Sequence, residues 1–422
     1  MATRSSSVPP KSGTQAAPRW RTPAMLRALR HRNYRLFFFG QLISLTGTWM
    51  QSVAQGWLVL SLTGSPLLLG LTTAMNSLPV LLFSLPAGTI IDRVSKHRVL
   101  LITQVTAMLL AAILTILTLT NSVTVSAVLV LALLLGIVNT FDATTRQSFT
   151  VEMVGKEDLL NAIALNASIF NAARTIGPAV AGIIVALIGE GPAFLLNTLS
   201  FLPVIASLLL MRLPPYTPKA NSRARGQLRA GLHYITNEPR VRALLQLAAA
   251  ISLFSFAYIP LVPIFARDVL NSGAEGLGML SASNGFGALI AALILAQFGD
   301  KLPRGRMVIA AAILQPLFLI AFTFMRDLGP AMVCLFFSGW AGVTCMALSN
   351  TLIQSIVPDA LRGRVMSVFT LLLMGLSPMG GLAVGAVAEW VGNVPLTVAA
   401  SAAISCLLSL LSLTLSPQLR RL

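Results

Sequence analysis

From Leu36 to Ser416 the chain alternates between long uncharged apolar stretches and short polar connections. The stretches fall at about 36–62, 67–91, 99–120, 123–141, 159–189, 191–211, 243–266, 276–299, 307–325, 328–350, 365–388 and 390–416. Each is long enough to cross about 30 Å of hydrocarbon as a helix rising 1.5 Å per residue. Strands of a membrane barrel would alternate apolar and polar positions over ~10 residues, and these stretches do not. The pattern predicts an all-α polytopic membrane protein with twelve transmembrane helices.

Composition fits that reading. Of 422 residues, 55% are hydrophobic and 10% charged, against roughly 25% charged in soluble domains. The formal net charge of +17 raises nucleic acid as a partner, but the placement of the bases points elsewhere. An even number of crossings puts both termini on one side. If that side is cytoplasmic, 27 of the 30 Lys and Arg residues lie in inner segments, which net +19 after their acids, while outer segments net −3. This is the positive-inside asymmetry of a membrane protein, and no nucleic-acid partner is expected.

Residues 1–35 hold eight bases and no acid and read as a flexible cationic tail, able to lie near anionic lipid. With no apolar core, the tail does not read as a secretory signal peptide. The Arg-, Pro- and Ser-rich segment 212–242 separates six spans (36–211) from six more (243–416), and 417–422 form a second short tail. Within the linker, Leu228 to Ile235 reads equally as a short surface helix or as plain linker. Cys334, Cys345 and Cys406 all lie in apolar runs without metal or disulfide spacing, which suggests small buried residues.

The halves echo each other. Gly88…Asp92-Arg93…Lys96…Arg98 follows span two, and Gly299-Asp300-Lys301…Arg304…Arg306 follows span eight, with Asp92 and Asp300 208 residues apart. Val154…Asp158 enters span five and Val357-Pro358-Asp359 enters span eleven, offset by 203. Gly177-Pro178 in span five matches Ser377-Pro378 in span eleven, offset by 200. Six-plus-six parallel repeats are a transporter architecture.

On these residues the chain resembles the major facilitator superfamily. The turn from Gly88 to Arg98 is similar to the superfamily's signature between helices two and three, although Ser95 stands where glycine is usual. Asn171-Ala-Ala-Arg174-Thr-Ile-Gly177-Pro178 resembles the helix-five motif of its exporters. Phe141-Asp142-Ala-Thr-Thr-Arg146-Gln147 and Pro358-Asp359-Ala-Leu-Arg362-Gly363-Arg364 resemble the branch of transmembrane secretion effectors that includes enterobactin exporters. The resemblance covers about 36–416. It implies two six-helix bundles, alternating access, and a central cavity lined by helices one, four, seven and ten.

Several residues are candidates for transport. Arg174 is the one charge inside the twelve spans, about 22 Å from the inner end of span five at helical rise. A charge there costs roughly 2.5–3.5 kcal/mol on insertion scales. It reads either as an electropositive spot in the cavity or gate, or as a structural arginine bonded to carbonyls or asparagines. Asp142 and Arg146, one helical turn apart at the inner end of span four, read as a local ion pair, with Asp142 as a protonatable switch the alternative. Asp92 is expected to meet the free N–H groups at the start of helix eleven near Arg362 while the inner side is closed, and Asp300 to do the same for helix five. Arg93 and Arg98 belong to the same gate. Gly177 and Pro178 permit a kink and close helix packing. Gln41, Thr48, Gln51 and Gln55 share one face of span one. With Trp49, Asn139, Asn171, Asn284 and Asn350 they suit a large amphipathic molecule, or serve as interhelical bonds.

No span carries Asp or Glu near its middle. His31, His97 and His233 are far apart, and no Walker loop, GxSxG or HExxH occurs. No metal, cofactor or enzymatic chemistry is expected. The reading is a bacterial inner-membrane secondary transporter with both termini cytoplasmic. It would export a small amphipathic substrate, drug- or siderophore-like, with protons as the coupling ion, and work as a monomer. Import or lipid carriage on the same fold is the alternative.

Overall fold

In a computed structural model, the structure describes residues 24–91, 93–213, 233–299 and 302–415. Among them, twelve helical spans run back and forth between two faces: α1 (Arg32–Thr63), α2 (Pro66–Ile91), α3 (Lys96–Leu119), α4 (Val125–Val154), α5 (Leu159–Ile188), α6 (Glu190–Leu209), α7 (Pro239–Val269), α8 (Gly273–Phe298), α9 (Arg304–Phe324), α10 (Leu328–Ile356), α11 (Asp359–Val391) and α12 (Val394–Leu415). Eleven of them are long and apolar enough to cross a membrane by length and composition. The twelfth, α1, is diluted by the polar residues Gln41, Ser44, Gln51 and Gln55, which it buries. Large apolar residues face outward instead, Ile102, Ile116 and Leu187 among them, as a lipid-facing surface requires.

The face where α1 begins is called here the base and the opposite one the distal face. α1 packs on α5 and α6, and α3 on α4 and α6; in the second half α8 and α9 pack on α10, and α11 on α7. The two six-helix groups meet along two seams, α5 against α8 and α2 against α11. Both seams are tightest toward the distal face. A methyl group added at Gly182 would stand 2.7 Å from the Cα of Gly278, and one at Gly70 would stand 2.6 Å from the carbonyl oxygen of Gly381. Only residues without a side chain allow that approach.

α7 is not a uniform helix. After Pro239–Ala250 it passes through a π segment, Ile251–Ser255, and a tight 3-10 segment, Phe256–Leu261, before Val262–Ile264 and a second π segment, Phe265–Val269. Pro260 and Pro263 lack the N–H groups that a regular ladder needs, so the pitch changes around them.

The helices differ from the sequence pattern in two respects. α4 does not end at 141 but continues to Val154; its 30 residues span about 45 Å, beyond the hydrocarbon. Asp142 and Arg146 pair within it at 2.7 Å, so they do not stop the helix, and Asp142 lies inside α4 rather than at its end. Part of the tail read as flexible is helical as well. Ala24–Arg30 forms a short 3-10 helix, in which Ala28 is buried and its N–H is bonded to Asn161 Oδ1 at 2.8 Å. Residues 1–23, 214–232 and 416–422 lie outside the described residues, as do Asp92 and Asp300.

Candidate functional site

A cavity of about 530 Å³ lies between the two groups of helices. α1 supplies the polar face anticipated from its spacing: Gln41, Thr48, Gln51 and Gln55 all line it, with Trp49 beside them. α4 contributes Asn139, Asp142 and Arg146, α5 contributes Arg174 and Pro178, and α8 contributes Asn284. The lining is therefore broader than helices one, four, seven and ten. Thr72, Thr73, Asn76 and Ser77 of α2, and Thr103 and Gln104 of α3, also face it. Their spacing of three and four on α2 was a readable signal of one polar face. From the second half come Phe256, Tyr258 and Pro260 of the irregular part of α7, and Leu335 and Gly339 of α10.

Asp142 is 5% exposed and fully engaged. Its Oδ1 accepts from Gln104 Nε2 at 2.7 Å and from Thr103 at 3.2 Å, and its Oδ2 faces Arg146 Nη2 at 2.7 Å. This joins α3 to α4 on the base side of the cavity.

Arg174 sits on the seam between the halves. Its Nη2 donates to Asn284 Oδ1 at 2.9 Å, and Asn284 Nδ2 in turn donates to the Tyr258 hydroxyl at 2.9 Å and to the Leu335 carbonyl at 3.2 Å. The two donated bonds fix which way the amide faces, so its oxygen meets the guanidinium. Gly285 makes the approach possible, since a methyl there would stand 2.8 Å from the Arg174 carbonyl oxygen.

Other candidates take other positions. Asn171 donates to Ala167 O within α5, and Asn350 accepts from Gln354 within α10. Neither lines the cavity, because each is satisfied by its own helix. Gly177 packs on α1, where a methyl would stand 2.7 Å from Thr46 O and from Trp49 Cβ. A methyl group added at Gly88 would meet nothing within 4 Å, and Arg93 and Arg98 are exposed at the base. Arg362 pairs with Asp359 at 2.6 Å and donates to Gln354 O. The expected contacts of Asp92 and Asp300 lie outside the described residues.

Residues not singled out in the sequence close the distal face. Arg267 of α7 donates to Leu60 O of α1 at 3.0 Å, and Glu389 of α11 accepts from Leu67 N at 3.0 Å and from Ser65. These bonds and Arg174–Asn284 cross between the halves, and all lie at mid-depth or distal to it. Among those same residues no cluster of His, Cys, Asp and Glu could hold a metal ion.

The family model for transmembrane secretion effectors matches residues 24–421. The chain is 26% identical over 366 residues to the staphyloferrin A transporter of Staphylococcus aureus (strain NCTC 8325 / PS 47), covering 85% of this chain and 90% of that protein. It is 26% identical to the multidrug efflux pump Tap of Mycolicibacterium fortuitum, over 85% and 89% of the two chains. It is 24% identical to the enterobactin exporter EntS of Shigella boydii serotype 4 (strain Sb227), over 81% of each. Among solved structures, a bacterial homolog of the human lysosomal transporter Spinster, inward-facing and unoccupied, is similar in fold, with a TM-score of 0.66 at 15% identity over 95% of this chain and 97% of that one.

Proposed function

Because the chain belongs to the transmembrane secretion effector family of the major facilitator superfamily, we propose that it exports a small amphipathic molecule, siderophore- or drug-like, by alternating access. The observation that carries this is the cavity itself. Its amides and hydroxyls lie beside Trp49, Phe256 and Tyr258, so it offers polar and aromatic partners to one molecule. It is closed distally by seams of glycine and by the Arg267 and Glu389 contacts, which can part only if the halves rock. The base is the cytoplasmic side, both termini are cytoplasmic, and the cavity loads from within. The membrane is the bacterial inner membrane, and one chain suffices.

Protons drive the cycle through Asp142, the sole carboxylate on the cavity wall among the described residues. Protonation there would cancel its charge and leave Arg146 without a partner, which ties proton binding to the α3–α4 contact. Efflux into inverted membrane vesicles, scanned over a compound panel with and without an imposed pH gradient, tests the reading. Gradient-driven accumulation of at least one amphipathic compound is expected, and Asp142→Asn should retain exchange but lose the gradient dependence. Absence of transport across the panel would overturn export; gradient-independent movement in the unaltered protein would overturn proton coupling.

A further inference from the structure

The wall of the cavity is not electrically neutral. Its charged side chains are two arginines and one aspartate, which gives a net charge of +1. Arg146 and Asp142 cancel at 2.7 Å. Arg174 has no carboxylate within ion-pairing distance among the described residues, and its partner is the neutral amide of Asn284. The uncompensated charge of the cavity is therefore the Arg174 guanidinium, near the middle of α5 and on the seam where the halves meet.

The hydrogen bonds separate a binding arginine from a structural one. A guanidinium carries five N–H donors. Arg267 commits its donors to both oxygens of Asp268 and to Leu60 O, and serves as a clamp. Arg174 commits one, and the others have no acceptor among the described residues. A cation at this depth is costly to leave with donors unfilled. These donors open onto the cavity, and a fork of N–H groups fits a carboxylate or phosphate in bidentate fashion. Asn284, locked by Tyr258 and Leu335, holds the fork in position and is a positioning residue.

We propose that Arg174, oriented by Asn284, is a subsite for a single anionic group, carboxylate or phosphate, on the transported molecule. The proposal rests on the export reading above and deepens it: the substrate is a monoanion with an amphipathic body.

Equilibrium dialysis on the purified protein in detergent tests it, using dansyl-valine, which bears one carboxylate, and its neutral amide. The unaltered protein is expected to bind the carboxylate at least about tenfold more tightly, the scale of a hydrogen bond to a charged group. Arg174→Gln should abolish the preference, read as the ratio of the two affinities within that variant, and Arg174→Lys should keep part of it. Asn284→Asp leaves the arginine present but sets a carboxylate against it, so it too should lose the preference even if Arg174→Gln folds poorly. Dihexanoylphosphatidylglycerol as competitor identifies the source: displacement of the dye assigns the subsite to lipid phosphate, and no displacement assigns it to a free carboxylate, each in support. A preference surviving in both variants, or no preference in the unaltered protein, overturns the subsite. Vesicle efflux by the unaltered protein separates the two claims, since its export of neutral compounds leaves the export reading standing when the subsite has fallen.

Discussion

Glu389, in the last turn of α11, accepts a 3.0 Å hydrogen bond from the backbone N–H of Leu67, in the first turn of α2. The Ser65 hydroxyl donates to the same oxygen, and Leu68 N donates to Ser65 Oγ at 3.1 Å. A helix start has free N–H groups and a positive dipole end, and here a carboxylate from the other half satisfies them. The contact exists only while the distal face is closed. It is the device expected of Asp92 at the base, found at the opposite end of the same α2–α11 seam.

Glu389→Gln keeps an acceptor and removes the charge, so the dipole contribution of about 0.3–1 kcal/mol is lost from the distal-closed state alone. The closed-to-open ratio should fall about twofold to fivefold. With the three native cysteines replaced, maleimide labelling of Thr72→Cys from the distal side should rise by that factor. Unchanged labelling would mean that the contact does not hold the face shut.

Two glycines of α5 should respond differently to a methyl group. Gly177 meets α1 within its own half, whereas Gly182 meets Gly278 and Ala274 O across the seam. Overpacking costs about 1–3 kcal/mol. Gly177→Ala should incur it in every conformation and lower the midpoint of thermal unfolding in detergent. Gly182→Ala should be penalised only while the distal seam is closed, so it should raise distal labelling of Thr72→Cys with little change in unfolding. The same response from both variants would contradict the assignment of one contact to folding and the other to gating.

Much of this was legible in the chain because bilayer crossing leaves a strong pattern. Spans, repeat and Arg174 follow from apolar length, from offsets of about 200 residues and from one buried charge. Three things were not legible. The Asp142–Arg146 pair was readable from its spacing, but the α4 extension buries Asp142 against Thr103 and Gln104 of α3, which linear spacing does not reveal. Glu389 is one of five acids near the distal connections, and only packing shows that it faces α2. Asn171 and Asn350 look like cavity amides but are satisfied within their own helices, a choice that rotamers decide.

The short 3-10 helix Ala24–Arg30 is held by Asp158, just ahead of α5. His31 Nε2 lies 2.9 Å from Asp158 Oδ2, and Arg27 Nε lies 3.3 Å from Oδ1. The hydrogen bond from His31 holds the Asp158 carboxyl below the ordinary carboxylate range, with the charges of Arg27, His31 and Arg30 adding to it against partial desolvation. A carboxyl depressed in the folded state stabilises above its unfolded value, about 3.9, and loses that contribution as pH falls through the folded value. Docking of Ala24–Arg30 through Asp158 should therefore withstand acidification to about pH 4 and weaken below it. Asp158→Asn should release the segment at pH 7. Trypsin cleavage after Arg27 and Arg30 at pH 7 should be slow in the unaltered protein and faster in the variant, and pepsin cleavage near Leu26 and Leu29 should rise in the unaltered protein as the pH falls below about 4. Equal rates would show that other contacts, such as Asn161 to Ala28, suffice.

An anion on Arg174 also determines which half of the cycle feels the membrane potential. Loaded with a monoanion, the arginine is neutralised and the moving site carries no net charge from this pair; empty, it carries +1. Moving one charge through 100 mV is worth about 2.3 kcal/mol, or about sevenfold in rate if half of that drop falls across the moving site. In proteoliposomes at equal pH, exchange of dansyl-valine against itself cycles only the loaded form and should be insensitive to a potassium diffusion potential. Net efflux requires a return without the anion, in which Arg174 carries +1 and a proton on Asp142 adds to it, and should be sensitive. Arg174→Gln leaves the loaded form with the −1 of the substrate, so exchange should become voltage-dependent, while the return keeps only the charge of the proton on Asp142. The neutral amide in the unaltered protein leaves +1 on both forms, so its exchange should feel the potential as well. Voltage-sensitive exchange of the carboxylate by the unaltered protein would mean that the anion travels without pairing to Arg174.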